Sequence, residues 1–263
     1  MPTRALTLVL SAVSMVACSD PLQLGNDLLW TADQEPGSLE QWTRDGSGDA
    51  LEPRTPDSDG TPVVPGKDSS IDVTTDAHHR GRHAVKLVNP TGWEFDNEGP
   101  ELFHALGEQK DAYYSAWFML PEEYRLEPHL TLLRLRSRDA GGVDLFNGEE
   151  LQLRSLSSGG YVLQVFSNNN GFLLEPIANP APLVASGRWF QLEARYEPHG
   201  SGRLRVWLDG GLVYDLAGRP DAGGAEMVLS VCNVAQRAEP APVVLYVDDV
   251  AASLSRVSPS GMF

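Results

Sequence analysis

The chain has 263 residues and a formal net charge of −16, from 36 acidic and 20 basic side chains. Taken as a whole, such a surface repels nucleic acid and anionic lipid, which excludes both as general partners. With 41% hydrophobic residues the chain can bury a core, its length suits one large β domain or two small ones, and its 25 glycines and 19 prolines favour many turns over long helices.

The N-terminal stretch MPTRALTLVLSAVSMVAC carries one basic residue, Arg4, an apolar run from Ala5 to Val13, and small residues ahead of Cys18. This is the layout of a secretory signal, and its apolar run is too short to span a bilayer. The ending MVAC resembles a bacterial lipobox, with Met15 where leucine is more usual. That resemblance implies cleavage before Cys18 and a diacylglyceryl thioether on its sulfur, with several acyl chains giving stable anchoring. The alternative is an ordinary signal peptide with a chance cysteine. The expected anatomy is a signal peptide at 1–17, a lipidated tether at 18–27 and one domain over 28–257, held at the bacterial envelope on its periplasmic or outer surface. The only other cysteine, Cys232, lies in the apolar run MVLSVCNV and reads as a small buried hydrophobe.

Residues 44–69 are rich in Asp, Gly, Pro and Ser and read as a long irregular excursion. From about residue 70 onward short strands follow one another: SIDVTT, HAVKLV, AYYSAWFML, LTLLRLRS, ELQLRS, YVLQVFS, RWFQLEARY, RLRVWLD, LVYDL, AEMVLSVCN and VVLYVDDVAAS. They are rich in Val, Leu and aromatics, and turn residues separate most of them. PEEYRLE at 121–127 could form one helical turn. This many strands at this spacing predict an all-β, two-sheet antiparallel sandwich or jelly roll.

The stretch RWFQLEARY–EPHGSG–RLRVWLDGG is the clearest hairpin. Phe190, Leu192, Ala194 and Tyr196 alternate with Trp189, Gln191, Glu193 and Arg195, and Leu204, Val206 and Leu208 alternate with Arg203, Arg205 and Trp207. Upstream, Leu133 and Leu135 stand opposite Arg134, Arg136 and Arg138, and Leu151 and Leu153 opposite Gln152 and Arg154. Arginine's planar fork suits carboxylates and sulfates, so Arg134, Arg136, Gln152, Arg154 and Trp207 are candidate ligand-binding residues. Equally, these arginines could sit on the wet face of a sheet, paired with Asp and Glu, because the chain uses 17 arginines against three lysines.

In order and spacing, ADQEPGSLEQW, DAYYSAWFMLPEEY, GRWFQLEARY with GRLRVWLDGGLVYD, and MVLSVCNV with APVVLYVDDVAAS resemble the concanavalin A-like lectin/glucanase superfamily over roughly residues 28–254. The likeness is nearest to heparin-lyase-I-like polysaccharide lyases and laminin-G-like modules. It implies a jelly roll and, in many members, a structural calcium between the opening and closing segments. Asp248 falls at the metal-ligating aspartate, with Glu35 (or Asp33 beside it) as the opening partner. It also implies a lyase chemistry in which Arg, Gln or Asn neutralises a uronate carboxylate and His or Tyr removes the C5 proton. The family's Arg-x-Glu is incomplete here, since Glu101 matches but Pro100 and Gly99 stand where the basic residue would be, and Arg134 and Arg136 replace the usual Gln and His. The glucanase Glu-x-Asp-x-x-Glu is absent.

Among the six histidines, HHRGRH at 78–83 lacks the i, i+2 spacing of a metal pair on a strand and reads as a solvated turn, while His104 precedes the central YYSAWF strand. Three functions compete. The first is a non-catalytic protein binding an acidic polysaccharide, with Trp207 and Trp93 as stacking candidates. The second is a polysaccharide lyase using His104, Tyr113 or Tyr114 with Arg134 and Arg136; of the two tyrosines one should face the cleft and one the core. The third is a structural or adhesive envelope protein without sugar specificity. The expected partners are a polysaccharide and, through the N-terminal lipid only, a membrane, with no nucleic acid and a monomeric state.

Overall fold

The computed structural model of the chain describes residues 27–42, 69–90, 99–108, 111–139, 144–168, 172–174, 176, 181–218 and 226–257. The expected signal segment, Cys18, Trp93 and nearly all of the 44–69 stretch lie outside the described residues.

Fifteen strands make up the regular structure of the described residues: β1 (Leu28–Ala32), β2 (Ser70–Thr74), β3 (Ala84–Asn89), β4 (Glu101–Ala105), β5 (Ala112–Met119), β6 (Arg125–Arg138), β7 (Asp144–Ser155), β8 (Tyr161–Ser167), β9 (Phe172–Leu174), β10 (Leu183–Val184), β11 (Phe190–Glu197), β12 (Arg203–Leu208), β13 (Gly211–Ala217), β14 (Glu226–Glu239) and β15 (Val243–Ser253). The one-turn helix expected at 121–127 does not form. Arg125–Glu127 instead open β6, where Leu126 faces the core and pairs with Ala238.

The strands form two antiparallel sheets. One has eight strands in the order β13-β12-β11-β5-β15-β3-β2, with β1 also on β15; the other has seven in the order β10-β8-β7-β6-β14-β4, with β9 on β8. The expected all-β jelly-roll sandwich is the observed architecture. Period-two alternation puts one apolar set of each sheet between them: Phe118, Leu192 and Val206 from the first sheet meet Leu133, Leu151 and Leu229 from the second in a single core. Burying these side chains stabilises the sandwich by roughly 1.5–3 kcal/mol for each large one.

A few polar side chains reach into the interior and hydrogen-bond across it. Asn233 on β14 donates from Nδ2 to the carbonyls of Leu87 and Val243, at 2.9 and 3.0 Å, tying the seven-stranded sheet to the eight-stranded one. Tyr214 donates to the Leu163 carbonyl at 2.9 Å. Cys232 is fully buried and is the free cysteine of the described residues; burial raises its thiol well above the ordinary value, which keeps it protonated and inert.

Candidate functional site

The face of the seven-stranded sheet turned away from the core is polar across five adjacent strands. The register β4-β14-β6-β7-β8 aligns Glu101 with Cys232, Ser230 with Arg134, Arg134 with Glu150, Thr131 with Gln152, and Gln152 with Gln164. Arg134 and Arg136 therefore point out of the sandwich, as alternation requires, but they are not solvated: they are 6% and 5% exposed. Arg134 donates from Nη1 to Glu101 at 2.8 Å and lies 3.2 Å through Nε from Glu150. Arg136 binds the other oxygen of Glu101 and donates to Ser230 at 3.2 Å. Gly148 lies opposite Arg136, where φ is +118° and a Cβ would stand 1.9 Å from the Leu135 carbonyl, so only glycine lets the two strands approach here.

Glu150 is the hub of the other half. It accepts from Thr131 at 3.1 Å, Gln152 at 2.9 Å and Asn168 at 3.1 Å, and Gln164 donates to the Gln152 carbonyl oxygen at 3.0 Å. Burial pushes Glu101 and Glu150 up, but the guanidiniums outweigh it, and both carboxyls are held below their ordinary value. Burial pulls Arg134 down while Glu101 and Glu150 raise it further, so its pKa lies above the usual arginine value. Two guanidiniums and two carboxylates thus neutralise each other inside the sheet face.

The face opens at the β6–β7 end. Arg154 shares the parity of Gln152 and is exposed, without a partner among the described residues. One step beyond the Leu130–Leu153 pair the register places His129 opposite Arg154. His129 is half-buried, and burial is the main cause of its lowered pKa; Glu150 raises it and Arg134 lowers it, so it is neutral at pH 7 in the field of both. The sequence reading passed over His129 for a definable reason. Leu132 and Leu133 are both in the core, and the register shifts between Thr131 and Leu133. This bulge puts the odd residues before it on the same face as the even ones after it. The adjacent leucines in HLTLLRLR were the available signal.

The remaining candidates go elsewhere, which corrects the expected groupings. His104 has the core-side parity of Leu102; it stacks on Trp30 with centroids 4.1 Å apart and lines, with Tyr114, a cavity of about 170 Å³ between the sheets. Burial lowers His104 to about 4 and raises Tyr114 well above its usual value. Tyr113 lies on the outer face of the eight-stranded sheet, 5.9 Å from Trp207. His104 and the two tyrosines therefore do not join Arg134 and Arg136, because three different sheet faces carry them. Trp207 is likewise on the far side of the molecule from Arg134, Arg136, Gln152 and Arg154. The Arg256 guanidinium covers its ring at 4.5 Å, and Arg256 in turn donates to Glu193 at 2.8 Å. Its packing role is the one the structure shows. The arginines of the β11–β12 hairpin are paired as well: Arg203 with Asp215 at 2.6 Å, and Arg195 and Arg205 with Glu197 at 3.0 and 3.1 Å.

The expected calcium pair meets at one loop but does not form a cation shell. Asp248 accepts backbone N–H groups at both oxygens, from Asp249 at 2.8 Å and from His79 and Arg80 at 2.7 and 3.2 Å. Glu35 accepts from the backbone of Arg82 and His83 at 2.8 and 3.1 Å. These oxygens are already turned to N–H donors, and no three His, Cys, Asp or Glu side chains among the described residues are grouped to hold a metal. The residues present do not fit a calcium ion.

No protein-family model matches the chain, and no curated protein does. Solved structures do. The chain is similar to the endo-β-1,4-glucuronan lyase of the fungus Trichoderma reesei, at 13% identity and a TM-score of 0.62 over 87% of this chain and 96% of that one. It is similar to the cellulose-induced protein Cip1, at 16% identity and 0.60 over 87% and 98%. It is also similar to the alginate lyase Aly36B, at 10% identity and 0.50 over 67% and 84%. At these identities the likeness is one of fold.

Proposed function

We propose that this chain is a secreted, lipid-anchored envelope protein that binds an acidic polysaccharide on the outer face of its seven-stranded sheet. The observation that carries this reading is the row of hydrogen-bonding side chains across β4, β14, β6, β7 and β8, ending at the exposed Arg154. Sugar hydroxyls are recognised by such fixed amides, carboxylates and guanidiniums, held in place by their neighbours. The neutralised Arg134 and Arg136 act as the floor that fixes Glu101 and Glu150. The glycan contacts come from Arg154 and His129 at the open end, with Gln164 next along β8 and Asn168 beyond its other end, on Glu150. The polysaccharide-acting neighbours of the same fold support a glycan as partner. The test is affinity electrophoresis of the protein in gels containing glucuronan, alginate or a neutral glucan. Retardation by the uronate polymers, lost in Arg154→Ala, is the expected result; mobility unchanged in every gel overturns it.

His129 favours a second reading, β-elimination. A neutral imidazole beside Arg154 can accept the C5 proton of a uronate, while the C4–O bond breaks, a C4=C5 double bond forms and the glycosidic oxygen leaves with a proton taken from water, the imidazolium then losing its proton to solvent. Incubation with glucuronan and alginate, followed by absorbance of the unsaturated product, tests it. A rise abolished by His129→Ala supports the lyase; no rise with either polymer leaves a binding protein.

A further inference from the structure

Tyr114 and His104 are not used by the polar face. They meet instead in a cavity of about 170 Å³ that is lined from both sheets. Leu29 of β1 and Ala112 and Tyr114 of β5 come from the eight-stranded sheet, His104 of β4 and Met227 of β14 from the seven-stranded one, and Glu108 follows β4. The backbone here is closed: Leu106 donates to the Met227 carbonyl at 2.8 Å, and Met227 donates to the Gly107 carbonyl at 3.0 Å. The polar side chains on the wall are therefore those of Tyr114, His104 and Glu108.

Tyr114 is 1% exposed, yet its hydroxyl has no hydrogen-bond partner among the described residues. Tyr124, Tyr161 and Tyr214 are as deeply buried, and each uses its hydroxyl, with the Val244 N–H, the Tyr124 N–H and the Leu163 carbonyl. A buried hydroxyl needs a partner, and for Tyr114 the cavity is the place left for one. Burial raises its pKa well above the usual value, with Asp111 adding to the rise, so the group stays protonated and can donate. The wall beside it is preformed. The His104 ring lies nearly parallel to Trp30 at 4.1 Å, and Trp30 is itself held by the Gln41 carbonyl at 2.9 Å and by the edge of Trp42 at 5.0 Å.

Size and charge then sort the ligands. A cavity of about 150 Å³ with apolar walls takes a benzene ring. Glu108 is exposed and no lysine or arginine lines the cavity. An ammonium or a carboxylate would lose its water to walls that hold no buried counter-charge. A pyranose would bring several hydroxyls to leucine, alanine and methionine, and most would go unpaired. Leu29, one of the few large apolar side chains left exposed among the described residues, borders the cavity and offers further apolar surface.

We propose that this cavity binds a small neutral molecule with one apolar ring and one hydroxyl, of the phenol class. The Tyr114 hydroxyl bonds the ligand oxygen, and Leu29, Ala112 and Met227 pack against its ring. The site is independent of the polar face.

The test is titration calorimetry of the full chain with phenol and with toluene, and with benzylamine, benzoate and glucose as further arms. The wild type is expected to take one equivalent of phenol and none of the last three. Tyr114→Phe deletes the hydroxyl and keeps the ring, so it should weaken phenol about tenfold and leave toluene unchanged. It removes no hydrogen bond of the folded chain, so its thermal midpoint without ligand should not fall. Ala112→Leu fills the cavity and should abolish uptake of both rings, with unchanged far-UV circular dichroism. No saturable uptake of phenol overturns the site, and so does phenol binding that Tyr114→Phe leaves as tight, or uptake that survives Ala112→Leu. Uptake of benzylamine, benzoate or glucose with none of phenol overturns the ligand class. None of these probes is a uronate polymer, so the outcome is separate from that of the gel assay.

Discussion

Glu101 receives both buried guanidiniums, Arg134 and Arg136, one on each oxygen. Glu101→Gln leaves those charges half-compensated inside the sheet face and should cost about 3–5 kcal/mol in denaturant unfolding. Its pKa is held below 4.5, so its stabilisation is complete above the unfolded value and is lost as pH falls through the lower folded one. His104 acts earlier on the same axis. Its folded pKa of about 4 lies below the ordinary 6.5, so between those values the unfolded chain binds a proton that the folded one refuses. His104 should therefore lower stability as pH drops from about 6.5 to 4, against Asp248, whose carboxyl burial raises to about 7 so that the folded chain gains a proton there; His104→Gln should remove the His104 part of the slope in pH-resolved thermal unfolding. An unchanged slope would assign it to His129 instead, whose pKa is lowered in the same direction.

At the scale of elements, the loop over 79–83 and the bulge in β6 decide where side chains end up. Gly81→Ala combines a left-handed backbone with a clash against Glu35, and should cost about 1–3 kcal/mol in denaturant unfolding. Because the oxygens of Glu35 and Asp248 hold this loop by its N–H groups, calcium or a chelator should leave the thermal midpoint in place. A rise on adding calcium would show that the carboxylates turn to a cation. Alternation made β8 and β15 legible from end to end, and both strands run as Tyr161–Ser167 and Val243–Ser253. The short β9 and β10 were missed, because two or three residues carry too little pattern. PEEYRLE was misjudged because its glutamates favour helix locally, while pairing of Arg125–Glu127 with β14 overrides that preference.

For the whole molecule, the two sheets set which residues can act together. Arg134, Arg136, Gln152 and Arg154 share one outer face, and Trp207 sits on the other, so Trp207→Ala should leave binding at the polar face unchanged in the gel assay while exposing the Arg256 contact. Within the polar face Arg154→Ala should abolish retardation by uronate polymers at little cost in stability. Arg134→Ala should instead destabilise the fold, because it takes the guanidinium from Glu150 and one of two from Glu101, both buried. A binding loss in Arg154→Ala with an unchanged thermal midpoint separates recognition from scaffolding.

What the sequence determined by itself is local and periodic. Alternating apolar residues fix strands, glycine and asparagine fix turns, and their number fixes an all-β sandwich, because the pleat has a period of two whatever lies beside it. Which outward residues are wet, paired or joined was decided only in three dimensions. Arg134 and Arg136 of LLRLRSR point out of the sandwich yet are buried, since Glu101 arrives from β4, some 33 residues from Arg134. His129 reaches their face through a bulge, and HHRGRH is held in shape by Glu35 and Asp248 from opposite ends of the chain. Such partners come from distant segments brought together by sheet order, and no local pattern encodes that order.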